Sequence, residues 1–181
     1  EESFGIEKFV MSSLASFYYG GNVMHTGVAE FNDAMRRVTD DLENAALIPL
    51  YDLSNEYGVQ LAIHPWQKLE VGKRFGRAYD GVKFPTINSV EIIDNKIQIM
   101  FKDVNGKLKI KEGNDLKGFS IAGSDGKFKP AKAKIISDNV VEIYSDAVTN
   151  PENCAYAFTT FTEQSNLCDE QGNMALQFTY G

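Results

Sequence analysis

Ile63-His64-Pro65-Trp66-Gln67-Lys68-Leu69-Glu70-Val71-Gly72-Lys73-Arg74-Phe75 is the stretch that decides how the first half of this chain folds. Pro65 suits the first position of a helix, where its missing N–H costs nothing. Val71, Phe75 and Ala78 recur on one face and predict a helix from Pro65 to about Tyr79. Lys68, Lys73, Arg74 and Arg77 form its polar face. Upstream, Ala46-Leu47-Ile48-Pro49-Leu50-Tyr51 predicts a strand, and Pro49 places it at an edge or terminus because proline donates no ladder hydrogen bond. His64 therefore sits on a loop at the mouth of an α/β sheet, a place where general bases work.

Further toward the start, Phe9-Val10-Met11 and Leu14 read as a short buried strand, and residues 17–27 as a loop rich in glycine and aromatics. Val28, Phe31, Met35, Val38 and Leu42 then recur at helical spacing. Asp33, Arg36, Arg37, Asp40 and Asp41 fall largely off that stripe, so the helix is expected to lay its apolar face on a sheet. The order strand, helix, strand, loop, helix is the tail of a doubly wound parallel sheet. Two parallel strands leave most of their apolar faces in water. Another polypeptide segment, or an exchanged copy of this one, is expected to supply the rest.

Past Gly81 to Pro85 the pattern changes. Ile97, Ile99 and Phe101 alternate with Lys96, Gln98 and Lys102. Asn105-Gly106 is a two-residue hairpin signal, and Asp125-Gly126 and Asp138-Asn139 are further turn signals. Closely spaced strands from Val90 to Phe158 predict an antiparallel β-sandwich, with Phe101, Phe119 and Phe158 in its core. The expected fold is thus α/β plus all-β: an incomplete doubly wound, flavodoxin-like sheet over residues 1–83, then a β-sandwich over 84–181.

The 181 residues carry a net charge of −7, which disfavours nucleic acid as a partner. No run approaches the roughly 20 apolar residues of a membrane span. The chain starts at Glu1 and shows no signal pattern, so a processed or partial chain is expected. Two histidines, without an i, i+4 pair or a carboxylate cluster, give metal little support, and no cofactor is expected. Cys154 and Cys168 lack a CxxC spacing; they are either a disulfide of an exported protein or two buried thiols.

The pattern Ile63-His64-Pro65, Lys68, Val71-Gly72 and Arg74 resembles the histidine segment of the sialate O-acetylesterase family, within the SGNH serine esterase clan. A weaker match covers Phe17-Tyr18-Tyr19-Gly20-Gly21-Asn22 and the helix after it; a later match, fairly specific together with the histidine motif, covers Leu116-Lys117-Gly118-Phe119, Ile121-Ala122-Gly123 and Asp125-Gly126-Lys127-Phe128, and the similarity ends with residues 154–158, Asn166-Leu167 and Gly172. The resemblance implies a carbohydrate O-acetylesterase working by a serine mechanism on acetylated sugars. It also implies that residues 1–83 are the carboxyl-terminal part of the esterase domain. The family's nucleophile lies earlier, in a Gly-Gln-Ser-Asn segment, so a polypeptide carrying that serine is the expected partner. This chain alone should be inactive. A secreted, periplasmic or lysosomal setting is expected on the same ground.

Within this resemblance His64 is the catalytic base. The family often carries an acid three residues before the histidine; here Leu61 stands there, followed by Ala62. Asp52, at the carboxyl end of the strand leading into the loop, is the first substitute acid, and Glu56 the second. For Asp52 the other reading is a turn residue bonding its own backbone. Trp66, Tyr19 and Asn22 are candidate substrate contacts, with Tyr18 beside them; Trp66 could equally cover the first helical turn. His25 reads as a solvent-facing loop residue. Gln164-Ser165-Asn166 mimics the nucleophile segment, but Glu163 replaces its glycine; Ser120 lacks the second glycine of an elbow. The competing reading, from another class, is a non-catalytic β-sandwich that binds glycans or mediates assembly.

Overall fold

β1 (Phe9–Ser12) and β2 (Ala45–Ile48) lie parallel in the computed structural model, Phe9 opposite Ala45 and Ser12 opposite Ile48. The structure describes residues 7–16, 26–53, 65–159 and 165–181. Parallel neighbours need a crossover, and α1 (Gly27–Asp40) supplies it. α2 (Lys68–Tyr79) follows and packs on β2. Among the described residues β1 and β2 pair only with each other. Ala15, Leu47, Ile48, Leu50, Leu53, Ala78 and Phe84 form their core, with Val71 and Phe75 partly buried against it.

The two helices differ from expectation in what they bury. α1 buries Asn32, Asp33, Arg36 and Thr39, while Phe31 and Val38 are 50% and 54% exposed. The expected apolar contact face is thus turned outward, with only Met35 reaching the core cluster. The physical reason is a polar lock on the other side. Asn32 Nδ2 donates to Gln177 Oε1 at 2.5 Å, and Arg36 pairs with Asp33 and Asp40. In α2 the helix starts at Lys68 rather than Pro65, after a tight bend in which the Lys68 N–H donates to the Trp66 carbonyl at 2.7 Å. Arg74, expected on the polar face, is only 3% exposed.

Most of the chain is β. β3 (Thr86–Ile93), β4 (Lys96–Lys102), β9 (Val140–Tyr144) and β8 (Lys132–Ser137) form one antiparallel sheet in the order β3-β4-β9-β8. β12 (Phe178–Tyr180), β10 (Asn153–Tyr156), β6 (Phe119–Ala122) and β7 (Lys129–Pro130) form a second, in the order β12-β10-β6-β7. β5 (Leu108–Ile110) and β11 (Leu167–Asp169) pair separately. Ile97, Ile99, Phe101, Val141 and Ile143 from the first sheet meet Phe119, Ile121, Cys154, Tyr156 and Phe178 from the second in one core. The alternation along β4 produces this: Ile97, Ile99 and Phe101 point inward, and Met100 outward.

The hairpin signal at Asn105-Gly106 misplaces the turn. β4 and β5 do not pair; the two-residue hairpin is Asp94-Asn95, joining β3 to β4, with both residues at positive φ, 47° and 63°. Asn105 instead serves a long-range contact, donating through Nδ2 to Asp169 Oδ2 at 2.7 Å and to the Lys83 carbonyl at 3.0 Å. Asp138-Asn139 does join paired strands, β8 and β9, and the Gly126 N–H closes a turn on the Gly123 carbonyl. Cys154 and Cys168 are two buried free thiols.

The parallel pair and the β sheets interlock. Tyr51, just past β2, is buried in the β core, and Leu176, just before β12, is buried with β2 and α2. Each side lends the other a large side chain, so the boundary expected at residues 81 to 88 is crossed by packing in both directions.

Candidate functional site

The carboxyl ends of β1 and β2 are built from small polar side chains that hold backbone. Ser13 Oγ accepts the Leu50 N–H at 2.8 Å, and Ser16 Oγ donates to the Tyr51 carbonyl at 2.6 Å. Asn32 Oδ1 accepts the Leu14 N–H at 2.7 Å, and its amide returns a bond to the Leu14 carbonyl at 3.0 Å. Gln177, bonded to Asn32, donates on to the Ala157 carbonyl at 2.5 Å. Buried backbone groups past a strand end must find partners, and these side chains supply them. Leu14, Ser16, Tyr51 and Ala157 are thereby held around one rim.

Beneath that rim lie two buried phenols. Tyr51 Oη donates to the Ala175 carbonyl at 2.7 Å and approaches Tyr156 Oη at 3.3 Å; Tyr156 Oη accepts the Leu167 N–H at 2.8 Å. Burial, then the neighbouring Tyr156 and Asp52, hold the Tyr51 hydroxyl protonated far into the alkaline range. Burial does the same for Tyr156. Tyr51 donates and Tyr156 accepts as structural groups, and neither is an acid of use near neutrality.

Asp52 follows Tyr51 and carries the charge of the rim. Its side chain is 6% exposed. Arg74 clasps it with both arms of the guanidinium, Nη1 to Oδ1 at 2.6 Å and Nη2 to Oδ2 at 2.8 Å. Lys111, just past β5, adds Nζ to Oδ2 at 3.2 Å. Burial alone would push this carboxyl up; the hydrogen bonds and charges of Arg74 and Lys111 outweigh it and hold the carboxyl below its ordinary range. Arg74 also donates to the Pro49 carbonyl at 2.6 Å and to Glu70 at 3.2 Å. Asp52 is therefore anionic, and both its oxygens face cations.

His64, Tyr19 and Asn22 lie outside the described residues, as do Tyr18, His25, Glu56, Leu61 and Ala62. Pro65, directly after His64, is buried, and Trp66 is 58% exposed at the entry to α2. Leu69, on the first turn of α2, is also exposed. Ser165 is buried, and its side chain lies so close to Gly118 that a Cβ added there would sit 2.8 Å from Ser165 Cβ. Ser165 is thus packed against the backbone at Gly118. Phe101 and Phe119 are buried in the β core and offer no surface to a glycan.

Three surface depressions of about 240, 480 and 440 Å³ are lined by described residues, and none includes Asp52, Arg74 or Trp66. The first lies at the opposite, amino-terminal end of β2, beside Ala45, Lys83 and Phe84. Ligands of open α/β sheets gather at carboxyl ends, so the rim around Asp52 is the better candidate. Among the described residues no cluster of three or more His, Cys, Asp or Glu side chains could hold a metal. None of the described helices is long and apolar enough to cross a membrane.

Sequence reasoning missed Arg74 and Lys111 as members of this site. Arg74 was in view within the Val71-Gly72-Lys73-Arg74 segment, and its spacing from the apolar stripe suggested solvent. Lys111 carries no local signal at all; only the return of β5 toward β2 brings it to Asp52.

Comparison with known proteins fits this architecture. No family model and no curated protein matches the chain. Among solved structures it is similar to a carbohydrate acetylesterase from Xanthomonas citri, at 25% identity and a TM-score of 0.84. The match covers 96% of this chain and 41% of that one. The chain therefore has a carbohydrate-esterase-like fold and spans about two fifths of the length of the solved enzyme it resembles.

Proposed function

We propose that this chain is the histidine-bearing, carboxyl-terminal part of a serine carbohydrate O-acetylesterase, sialate O-acetylesterase-like and of the SGNH clan. Residues 1–83 complete a doubly wound esterase domain, and residues 84–181 form a β-sandwich beside it. The observation that carries the reading is likeness to a carbohydrate acetylesterase over 96% of the chain. The IHP segment at residues 63–65 and Arg74 support it from the sequence.

In this mechanism a serine on polypeptide outside the chain attacks the acetyl carbonyl, and His64 takes its proton. The carbonyl π electrons move to oxygen, and preorganised donors stabilise that oxyanion. Collapse expels the sugar alcohol, which receives the proton from His64. Water, deprotonated by the same histidine, then releases acetate. Asp52 supports His64; Trp66, Tyr19 and Asn22 contact the acetylated sugar. No metal or other cofactor enters this scheme. The enzyme works outside the cytoplasm, on the same resemblance.

Two features support the need for another polypeptide. β1 has one neighbour among the described residues, and an unpaired edge invites a further strand. Phe9, Leu14, Phe31, Val38 and Leu42 expose an apolar surface around that pair. A glycan-binding module without catalysis finds less support, because Phe101, Phe119, Tyr156 and Phe178 fill the β core.

The test is active-site labelling of the complete protein with a serine-directed phosphonate. One modified serine outside residues 1–181, labelled at least about 100-fold more slowly in H64A, is expected. Modification of Ser165, or labelling indifferent to His64, would overturn the proposal.

A further inference from the structure

We propose that the seam between α1 and the strands β3 and β4 is a second carbohydrate-binding site, which takes neutral sugar units of the glycan at the end of β2 away from Asp52. The choice of ligand rests on the proposed activity toward acetylated sugars; the site rests on its own geometry.

Two hollows open along this seam, of about 240 and 440 Å³. Both are walled by Asp40 and Lys102, which pair across the seam at 3.1 Å. The hollows are therefore neighbours and make one trough. Its walls are tied together. Arg37 Nη2 donates to the Thr179 carbonyl at 3.4 Å and joins α1 to β12. The Leu176 N–H donates to the Pro85 carbonyl at 2.8 Å beside the first hollow. Ligand sites are common between packed units, and rigid elements hold them best.

The first hollow is lined by a polar group that the fold does not use. Thr86 is 2% exposed, and its hydroxyl bonds to no group among the described residues. Buried hydroxyls are nearly always paired. A strand position that needed only bulk would accept valine, which has the same shape without the hydroxyl. Around Thr86 the hollow carries Asp41, Lys83 and Asp103, none of which has an ion-pair partner among the described residues.

The charges of the trough cancel. Asp40, Asp41, Glu43 and Asp103 stand against Arg36, Arg37, Lys83 and Lys102, four acids and four bases. A phosphate or a cation selects a surface of one sign. A mixed set suits a neutral ligand that donates and accepts at many points, and a sugar hydroxyl does both.

The second hollow adds an aromatic face. Tyr180 lines it and is 44% exposed, on β12, where its backbone lies opposite Cys154. A tyrosine ring held on a strand offers an apolar face to a sugar ring at little entropic cost. Asn88, exposed in the same hollow, brings an amide that donates and accepts. Stacking in one hollow and a grid of donors and acceptors in the next describe subsites for successive units of a glycan.

The experiment is calorimetric titration of the complete protein with xylohexaose, mannohexaose and lacto-N-tetraose, none of which carries an O-acetyl group, and with hexagalacturonate as the anionic control. At least one neutral sugar should bind with a Kd at or below about 1 mM, and more tightly than hexagalacturonate. Y180A and D103N should each weaken that binding by about 10-fold, and T86V, which keeps the residue's shape, by about threefold. Tyr180 is half exposed, so Y180A carries the test should another variant fail to fold. No binding of any neutral sugar, tighter binding of hexagalacturonate, or binding indifferent to Y180A and D103N would overturn the site. Sugar binding that Y180A weakens, in a protein that releases no acetate from acetylated xylan or an O-acetylated sialoside, would defeat the proposed function and leave this site standing. Acetate release without such binding would do the reverse.

Discussion

The ring of Tyr51 meets the ring of Tyr156 edge to face, centroids 6.3 Å apart and planes at 82°, where the strand β2 segment enters the β core. Tyr51 is the residue before Asp52, so the core of one part of the molecule fixes the start of the candidate site in the other. Removing only its hydroxyl should be informative. Y51F keeps the packing but loses the donor to Ala175 and the contact with Tyr156. We expect a loss of about 1–2 kcal/mol in urea unfolding. An unchanged midpoint would mean that the phenol does not tie the two parts together.

Gly118 stands at φ +98°, and an added Cβ would press on the Ser165 side chain and its Cα at 3.0 Å. G118A should therefore cost about 1–3 kcal/mol from strain alone, plus the clash. S165G in the same background should recover part of the loss, by removing the side-chain clash while leaving the strain and the tight contact with the Cα of residue 165. Thermal melts of the single and double variants check this; equal melting of G118A and wild type would show that the backbone at Gly118 and Ser165 yields freely.

The Asp52 pair should make stability depend on pH in a definite direction. Its carboxyl is held below the ordinary value, so its contribution is complete above the unfolded-state pKa and is lost as pH falls through the folded-state value. D52N should lose about 3 kcal/mol at pH 7, because Arg74 keeps a buried charge with one partner fewer. The gap between wild type and D52N should narrow below about pH 4. Urea midpoints at pH 7, 5 and 3 measure it, and a gap that widens toward acid would contradict the pairing.

Cys154 is a buried thiol pushed up to about 12 by its surroundings, and burial likewise raises Cys168. Neither offers thiolate near neutrality. A chromogenic disulfide reagent at pH 8 should find no reactive cysteine in the native protein and two after unfolding. Rapid native reaction, or no free thiol after unfolding, would contradict two buried free cysteines.

Much of this architecture could be read from local pattern. The alternation of Ile97, Ile99 and Phe101 announced β4, and the spacing of Val71, Phe75 and Ala78 announced α2, because burial on one face imposes a period on the chain. The turn at Asn105-Gly106 misled because the Asn105 amide was engaged by Asp169, a partner far along the sequence. Asp94-Asn95 carried the turn without a glycine, two short polar residues accepting positive φ. The stripe of α1 was visible but its direction was not. Which face turns inward was decided by the bond from Asn32 to Gln177 across the molecule. The site follows the same rule. His64 and Asp52 stood out by type and position, whereas Arg74 and Lys111 joined Asp52 only through tertiary contact. The segment around His64 and the likeness to an acetylesterase support its proposed role.

The most direct test of that role is acetate release from an acetylated glycan by four samples. These are the isolated chain, the chain with the polypeptide carrying the nucleophilic serine, and the same pair of samples with H64A. We expect no serine-dependent turnover by the isolated chain, because a base without nucleophile and oxyanion donors lacks most of the machinery. Turnover should appear when the partner is added and fall at least about 1,000-fold in H64A. Turnover by the isolated chain that S165A abolishes, or full activity of H64A with the partner, would contradict the account.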